Sequence, residues 1–297
     1  MSQKNDDSRL SKAERTAQAR EQARVIREAQ AKKEKRNSWL IRGGVLVAAV
    51  AVVVIVALFI VQAQKTAEPI ANSGSVPANA NAYGGVTLAA NNAVVPPTTT
   101  ATTVDKATLP AAPATAPAAA TDLEGLGIAN SGDGKPVQIV AYIDFLCPHC
   151  KNFEDTFSGQ LKQWQDAGKA TVEYRPTGLL DVYTTTNYSS RAAAAAACVV
   201  NTAPDKYKTF MDALFAQQPA ENGPGLSNDQ LKKIASDAGV DVGNCVDSKT
   251  YRPYAAFTTA SATSHGINGT PTVFVDGQQW STGDFGTFAT AIVDAKK

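Results

Sequence analysis

The protein has 297 residues, which allows two domains at most on the usual scale of about 150 residues per domain. Its 28 Lys and Arg nearly balance its 27 Asp and Glu, so the overall charge gives no reason to expect nucleic-acid binding. Four Cys and two His are too few for a disulfide-dense miniprotein or for a protein with several zinc sites.

A single transmembrane helix is predicted over residues 43–62. From Gly43 to Val61 run 19 residues without a charge, enough to cross a hydrocarbon core about 30 Å thick. Residues 1–42 contain 12 Lys and Arg, whereas Lys65 is the single basic residue in the forty that follow the apolar run. The positive-inside rule therefore places residues 1–42 in the cytoplasm and the rest of this single-pass chain outside. The alternative, a signal peptide cleaved near Ala63, is disfavoured because the apolar run is too long.

Residues 63–123 are predicted to be a disordered linker. They are dominated by Ala, Thr, Pro, Asn and Val, and they hold 7 of the chain's 15 Pro and one aromatic residue, Tyr83. Such a composition buries too little apolar surface to offset the entropy lost on ordering.

Residues 124–297 are predicted to form one α/β domain. Val137–Ile143 and Ala170–Pro176 have the pattern of strands, and apolar residues recur at helical spacing from about Pro148 to Asp166 between them. Pro271–Val275 predicts a later strand, followed by a hairpin and a closing helix. Between the two halves, the pattern of residues 182–266 predicts only helices, so the domain is predicted to be a sheet divided by a helical insert.

Cys147-Pro148-His149-Cys150 lies where the first strand meets the first helix. Disulfide exchange requires one thiolate that attacks and a second thiol that resolves the mixed disulfide. At the start of a helix, Cys147 faces unpaired N–H groups and the positive end of the helix dipole, which lower its pKa and make it the nucleophile. His149 adds a donor or a positive charge near the thiolate, and Cys150, one turn deeper, is the resolving thiol. Zinc is the alternative for this motif, but no second close ligand pair is present in the sequence.

With Gly269-Thr270-Pro271-Thr272 opening the later strand, the chain resembles the DsbA-type thiol:disulfide oxidoreductases, in particular their membrane-anchored Gram-positive members. The resemblance covers about residues 130–297. It implies a thioredoxin-like fold, dithiol–disulfide chemistry without a cofactor or metal, and reoxidation by a membrane quinone-linked thiol oxidase. It also implies a cis peptide bond before Pro271, with the Thr270 backbone available for pairing with a substrate strand.

Two features of the sequence leave alternatives open. Cys198 and Cys245 in the insert are interpreted as a structural disulfide, with a second redox pair or two free thiols as alternatives. Relatives often have a buried acid six residues before the nucleophile, but Ala141 stands there in this chain. Asp144 and Glu173 are the candidates to accept the proton of the resolving thiol, or else they are ordinary charged residues.

The favoured function is a membrane-anchored, extracytoplasmic oxidase that donates the Cys147–Cys150 disulfide to reduced exported proteins during oxidative folding. A disulfide isomerase or reductase of the cell envelope is the first alternative. A binding module with a static disulfide is the second, and the reactive Pro148-His149 pair argues against it.

Overall fold

The computed structural model describes residues 69–98, 101–115, 117 and 119–296. They belong to one compact unit of the chain, Thr66–Lys297. The predicted cytoplasmic segment and transmembrane helix lie outside the described residues. Among the residues that are described, no helix is long and apolar enough to cross a membrane.

In the part of the chain that the structure describes, eight strands form two sheets. A six-stranded sheet has the order β3-β2-β6-β5-β7-β8, and β1 pairs with β4 in a separate two-stranded sheet. The strands are β1 Ser73–Ser75, β2 Val86–Leu88, β3 Val94–Val95, β4 Thr103–Asp105, β5 Val137–Ile143, β6 Ala170–Pro176, β7 Thr272–Val275 and β8 Gln278–Gln279.

The sheet is built around β5, which pairs in parallel with β6 and antiparallel with β7. Six of the seven β5 residues are buried, as expected for a strand with a covered surface on both sides. Its alternate residues enter two different apolar clusters. Ile139, Ala141 and Ile143 belong to the larger cluster, whereas Val140 and Tyr142 belong to the smaller one on the opposite face.

The described residues contain seven α-helices: α1 Pro148–Asp166, α2 Tyr188–Thr202, α3 Tyr207–Ala216, α4 Asn228–Asp237, α5 Gly243–Asp247, α6 Arg252–Ser264 and α7 Phe285–Ala295. Helices α2–α6 make up the predicted insert between β6 and β7. A capping box starts α4, since Ser227 and Gln230 exchange hydrogen bonds between side chain and backbone. The short helix α5 is separated from α6 by a turn in which Lys249 adopts a φ of 54°.

The prediction of a disordered linker over residues 63–123 is wrong for much of its described part. Residues 73–108 contain strands β1–β4 and two short 3₁₀ turns. Strand β2 pairs antiparallel with β6, and the side chains of Val86 and Leu88 are buried in the main core. Three residues of β2 cannot form a stable strand alone, but the edge of an existing sheet supplies the hydrogen bonds and the apolar surface. The folded domain therefore begins well before residue 124.

Candidate active site

Cys147 lies in the turn between the carboxyl end of β5 and helix α1. It is the N-cap residue of α1, with extended backbone angles of φ −74° and ψ 117°, and Pro148 occupies the first helical position. Proline is favoured there because its fixed φ suits a helix and its missing N–H would have had no partner. The sequence therefore places the Cys147 sulfur at the amino end of a 19-residue helix, where the helix dipole favours a negative charge.

The surroundings of Cys147 favour its thiolate. The residue is 4% exposed, and its sulfur lies 3.2 Å from the backbone oxygen of Thr270. Its pKa is lowered to about 6. The hydrogen bond from the Cys150 thiol lowers it most, and Thr270 and the backbone N–H groups of Cys150 and His149 lower it further. Burial has the opposite effect. The thiol is thus mostly ionised at neutral pH.

Cys150 has the opposite character. It is fully buried in the first turn of α1, and the backbone N–H of Asp144 donates to its sulfur at 3.4 Å. Burial raises the pKa of the Cys150 thiol well above its usual range, and the neighbouring Cys147 raises it further. Of the two free thiols, Cys147 therefore ionises the more readily, whereas Cys150 is buried and stays protonated to higher pH.

Pro148 and His149 are exposed beside the nucleophile. The backbone N–H of His149 is one of the groups that lower the pKa of Cys147. The role predicted for the imidazole ring itself stays a prediction.

The Thr270–Pro271 peptide bond is cis, which agrees with the resemblance noted in the sequence. Pro271 opens β7 next to the two cysteines, and the backbone oxygen of Thr270 faces the Cys147 sulfur. An open groove of about 350 Å³ begins at this point. Its lining residues are His149, Asn152, Phe153, Phe157, Thr270, Pro271, Trp280 and Ser281. The groove therefore lies beside the Cys147–Cys150 motif and has three aromatic side chains in its lining.

Asp144 is fully buried in the turn that leads to Cys147. One carboxylate oxygen accepts the backbone N–H of Leu146 and the other that of Leu180, each at 2.9 Å. Burial raises the pKa of Asp144 to about 7, although these hydrogen bonds and the Ser189 side chain oppose the shift. A carboxyl group with this pKa can exchange a proton at neutral pH. The backbone N–H of the same residue, Asp144, contacts the Cys150 sulfur.

Glu173, the other acid considered from the sequence, is engaged elsewhere. Its carboxylate forms a buried ion pair with Arg175 at 2.6 Å and accepts the side-chain amide of Asn81 at 2.8 Å. A further buried acid, Glu154, was not considered from the sequence. It lies one turn after Cys150 on α1, and burial raises its pKa to about 7. Glu154 follows Cys150 by four residues, a spacing that places both side chains on the same face of a helix and could have indicated it.

The insert contains the disulfide Cys198–Cys245, with Cα atoms 6.0 Å apart, as interpreted from the sequence. It joins α2 to α5 and does not enter the site. Within the described part of the chain, no group of three or more His, Cys, Asp or Glu side chains could hold a metal ion.

Comparison with known proteins identifies the family. A family model described as thioredoxin matches residues 132–294, more than half of the chain. DsbA from Mycobacterium tuberculosis is 32% identical, with a TM-score of 0.48, and the match covers 56% of this chain and 88% of that one. The chain belongs to the DsbA-type thiol:disulfide oxidoreductases. Comparison with curated proteins gave no significant match.

Two further DsbA-type structures are similar. A disulfide bond oxidoreductase, DsbG, from Mycobacterium tuberculosis is 30% identical, with a TM-score of 0.48 and coverage of 56% of this chain and 86% of that one. BdbD from Bacillus subtilis is 22% identical, with a TM-score of 0.47 and coverage of 59% and 95%. The family assignment makes this protein a disulfide oxidoreductase.

Proposed function

We propose that the protein is a membrane-anchored, extracytoplasmic oxidase that donates the Cys147–Cys150 disulfide to reduced exported proteins. The observation that carries the proposal is the opposite shift of the two thiol pKa values, lowered for Cys147 and raised for Cys150. A stable Cys147 thiolate stabilises the reduced form of the pair. The disulfide form then takes electrons readily, so the protein acts as an oxidant.

The reaction proceeds in two exchanges. A client thiolate attacks the Cys147 sulfur of the disulfide, and the bond to Cys150 breaks with its electron pair on Cys150. A second client thiolate then attacks the client sulfur of the mixed disulfide and releases Cys147 as a thiolate. Two electrons pass from the client pair to Cys147 and Cys150, and the client leaves with a disulfide.

Asp144 serves the proton transfer to and from Cys150. A thiolate on buried Cys150 is unfavourable, so a proton must reach it as the mixed disulfide forms. Asp144, with a pKa of about 7, holds a proton in about half of the molecules at neutral pH and sits in the turn that contacts Cys150. Its carboxyl group is therefore suited to donate that proton and to remove it when the resolving thiol attacks.

The client is bound at the groove beside Thr270 and Pro271. An extended segment lying there brings its cysteine to the Cys147 sulfur, and its apolar side chains contact Phe157 and Trp280. Main-chain pairing at Thr270 suits clients of many sequences, because the backbone is common to all of them.

The membrane anchor rests on the apolar run Gly43–Val61 and on the charge asymmetry around it. Since β1 begins at Ser73, 11 residues separate this run from the folded domain. The proposed reoxidant is a membrane quinone-linked thiol oxidase that takes the electrons from reduced Cys147 and Cys150.

The test is the equilibrium redox potential of the Cys147–Cys150 pair in a glutathione series, followed by alkylation of free thiols and mass measurement. We expect a value more oxidising than about −200 mV. A value near that of thioredoxin, about −270 mV, would refute the oxidase and favour the reductase or isomerase. The Cys147→Ala/Cys150→Ala variant is the control, because its remaining cysteines form the Cys198–Cys245 disulfide.

A further inference from the structure

Gln218 reaches from the helical insert to the turn that contains the nucleophile. It follows helix α3, and its side-chain amide nitrogen donates to the backbone oxygen of Phe145 at 3.1 Å and to that of Cys147 at 3.0 Å. The two carbonyl groups bracket Leu146. A residue 71 positions from Cys147 in the sequence therefore contacts its backbone directly.

The chemistry of the two acceptors determines how the amide is oriented. Backbone oxygens can only accept, so the NH₂ group of Gln218 faces them rather than its oxygen. An NH₂ group has two hydrogens, and each one is used by one carbonyl. Gln218 thus fixes the directions of two peptide groups at once.

The same Cys147 oxygen begins helix α1. It also accepts the backbone N–H groups of Cys150 at 3.1 Å and of Lys151 at 3.2 Å, which form the first turn. The peptide group that Gln218 holds is therefore the one that joins the nucleophile to the helix whose N–H groups lower its pKa.

An apolar contact between the same two elements supports the arrangement. The ring of Phe145 packs against that of Phe215 on α3, with centroids 5.2 Å apart. Ring packing holds the turn close to the insert, but it is not directional enough to orient a carbonyl group. Gln218 supplies that direction.

We propose that Gln218 is a positioning residue for Cys147. By holding the Phe145 and Cys147 carbonyl groups, it keeps the Cys147 sulfur against the first-turn N–H groups of α1, which stabilise its thiolate. The proposal rests on Cys147 being the nucleophile of the proposed function. It gives the insert a direct part in setting the reactivity of that thiol.

The test compares paired variants of the full chain. Gln218→Met removes both donors and keeps the length of the side chain, whereas Gln218→Lys retains a donor. Gln217→Met and Gln217→Lys make the same changes at the exposed neighbour, so they control for apolar surface and for charge. The readout is the rate of Cys147 alkylation against pH in the reduced protein, with the melting temperature measured alongside.

We expect Gln218→Met to lower the alkylation rate at pH 6 about twofold, which corresponds to a rise in the Cys147 pKa of about half a unit from its value of about 6. Gln218→Lys should give the profile of Gln217→Lys. The proposal is overturned if Gln218→Met matches Gln217→Met, or if both Gln218 variants shift the profile equally. Should the methionine variant not fold, a profile of Gln218→Lys displaced from that of Gln217→Lys would overturn the proposal by itself. A reducing potential in the wild type would refute the oxidase and leave this comparison intact.

Discussion

The aromatic ring of Tyr83 lies over the guanidinium group of Arg175, whose central carbon is 5.4 Å from the ring centroid. Arg175 is fully buried, and Tyr142 provides a second ring at 5.3 Å. The ion-pair partner of Arg175 is Glu173, which also accepts a hydrogen bond from Asn81. Residues 81–83 thus contact a buried ion pair of the folded domain, although the sequence predicts them to be part of a linker. Removing such a partner from a buried charge is costly.

Tyr83→Ala should therefore destabilise the domain by about 2–4 kcal/mol, because it removes a half-buried ring and a cation–π contact. Urea unfolding followed by circular dichroism measures the loss. Tyr183→Ala is the matched control: Tyr183 is 55% exposed, and its loss should change the free energy of unfolding by no more than about 0.5 kcal/mol. Equal effects at the two positions would show that Tyr83 is not part of the folded domain.

Cys150→Ala should trap clients as mixed disulfides with Cys147, since the thiol that releases them is gone. The adducts would appear as high-mass species on a non-reducing gel of membranes from producing cells and would disappear on reduction. Cys147→Ala should give none, because Cys150 is buried and its pKa is raised. Adducts of equal amount in the two variants would contradict the assignment of Cys147 as the nucleophile.

His149→Ala should raise the pKa of Cys147 by removing the predicted imidazole contribution, while the backbone N–H of residue 149 remains. In the wild type, the rate of Cys147 alkylation should rise with pH through a midpoint near pH 6. The variant's midpoint should lie higher, so that alkylation at pH 6 is slower. Asn152→Ala, an exposed change at the same groove, is the control. An unchanged midpoint in His149→Ala would remove the ring from the mechanism.

The central strands and the first helix could be predicted from sequence because their signals are local. Val137–Ile143, Pro148–Asp166 and Ala170–Pro176 have the same bounds in the structure as in the sequence analysis. The spacing of Cys147 and Cys150 likewise identified the redox pair. Strand β2 could not be predicted in this way, since its three residues are stabilised by β6, about 86 positions further along the chain.

The remainder of the site depends on contacts between distant residues. Asp144 is buried, which raises its pKa, and its carboxylate accepts the backbone N–H of Leu180, 36 positions further along the chain. Gln218 reaches Cys147 only because the chain returns from α3 to the active-site turn. No local sequence pattern near Asp144 or Gln218 indicates these contacts.

Cys198→Ala combined with Cys245→Ala should destabilise the domain by about 3–4 kcal/mol, because the disulfide constrains a long loop of the unfolded chain. The comparison is made in a Cys147→Ala/Cys150→Ala background, so that the redox pair does not contribute to the measured stability. In a Cys198→Ala/Cys245→Ala variant that retains Cys147 and Cys150, the redox potential of the Cys147–Cys150 pair should equal that of the wild type. A shifted potential would indicate that the insert disulfide is coupled to the active site.

Glu154→Gln should stabilise the protein increasingly as the pH rises. Burial raises the pKa of Glu154 to about 7 from 4.5. Lys208 and Tyr174 oppose the shift, whereas Asp212 reinforces it. The hydroxyl of Tyr207 also lies near the acid. The folded state therefore binds a proton that the unfolded state releases, and wild-type stability falls as the pH rises from about 4.5 to 7.

Glutamine is uncharged and can still accept the Tyr174 hydroxyl, so the variant lacks this decline. We expect near-equal stability at pH 4.5 and a gain of about 1–3 kcal/mol at pH 8, from urea unfolding at each pH. Asp155→Asn is the control, because the Asp155 carboxylate is 61% exposed and pairs with Lys151 on the surface. A difference between Glu154→Gln and wild type that does not vary with pH would mean that Glu154 is ionised throughout this range.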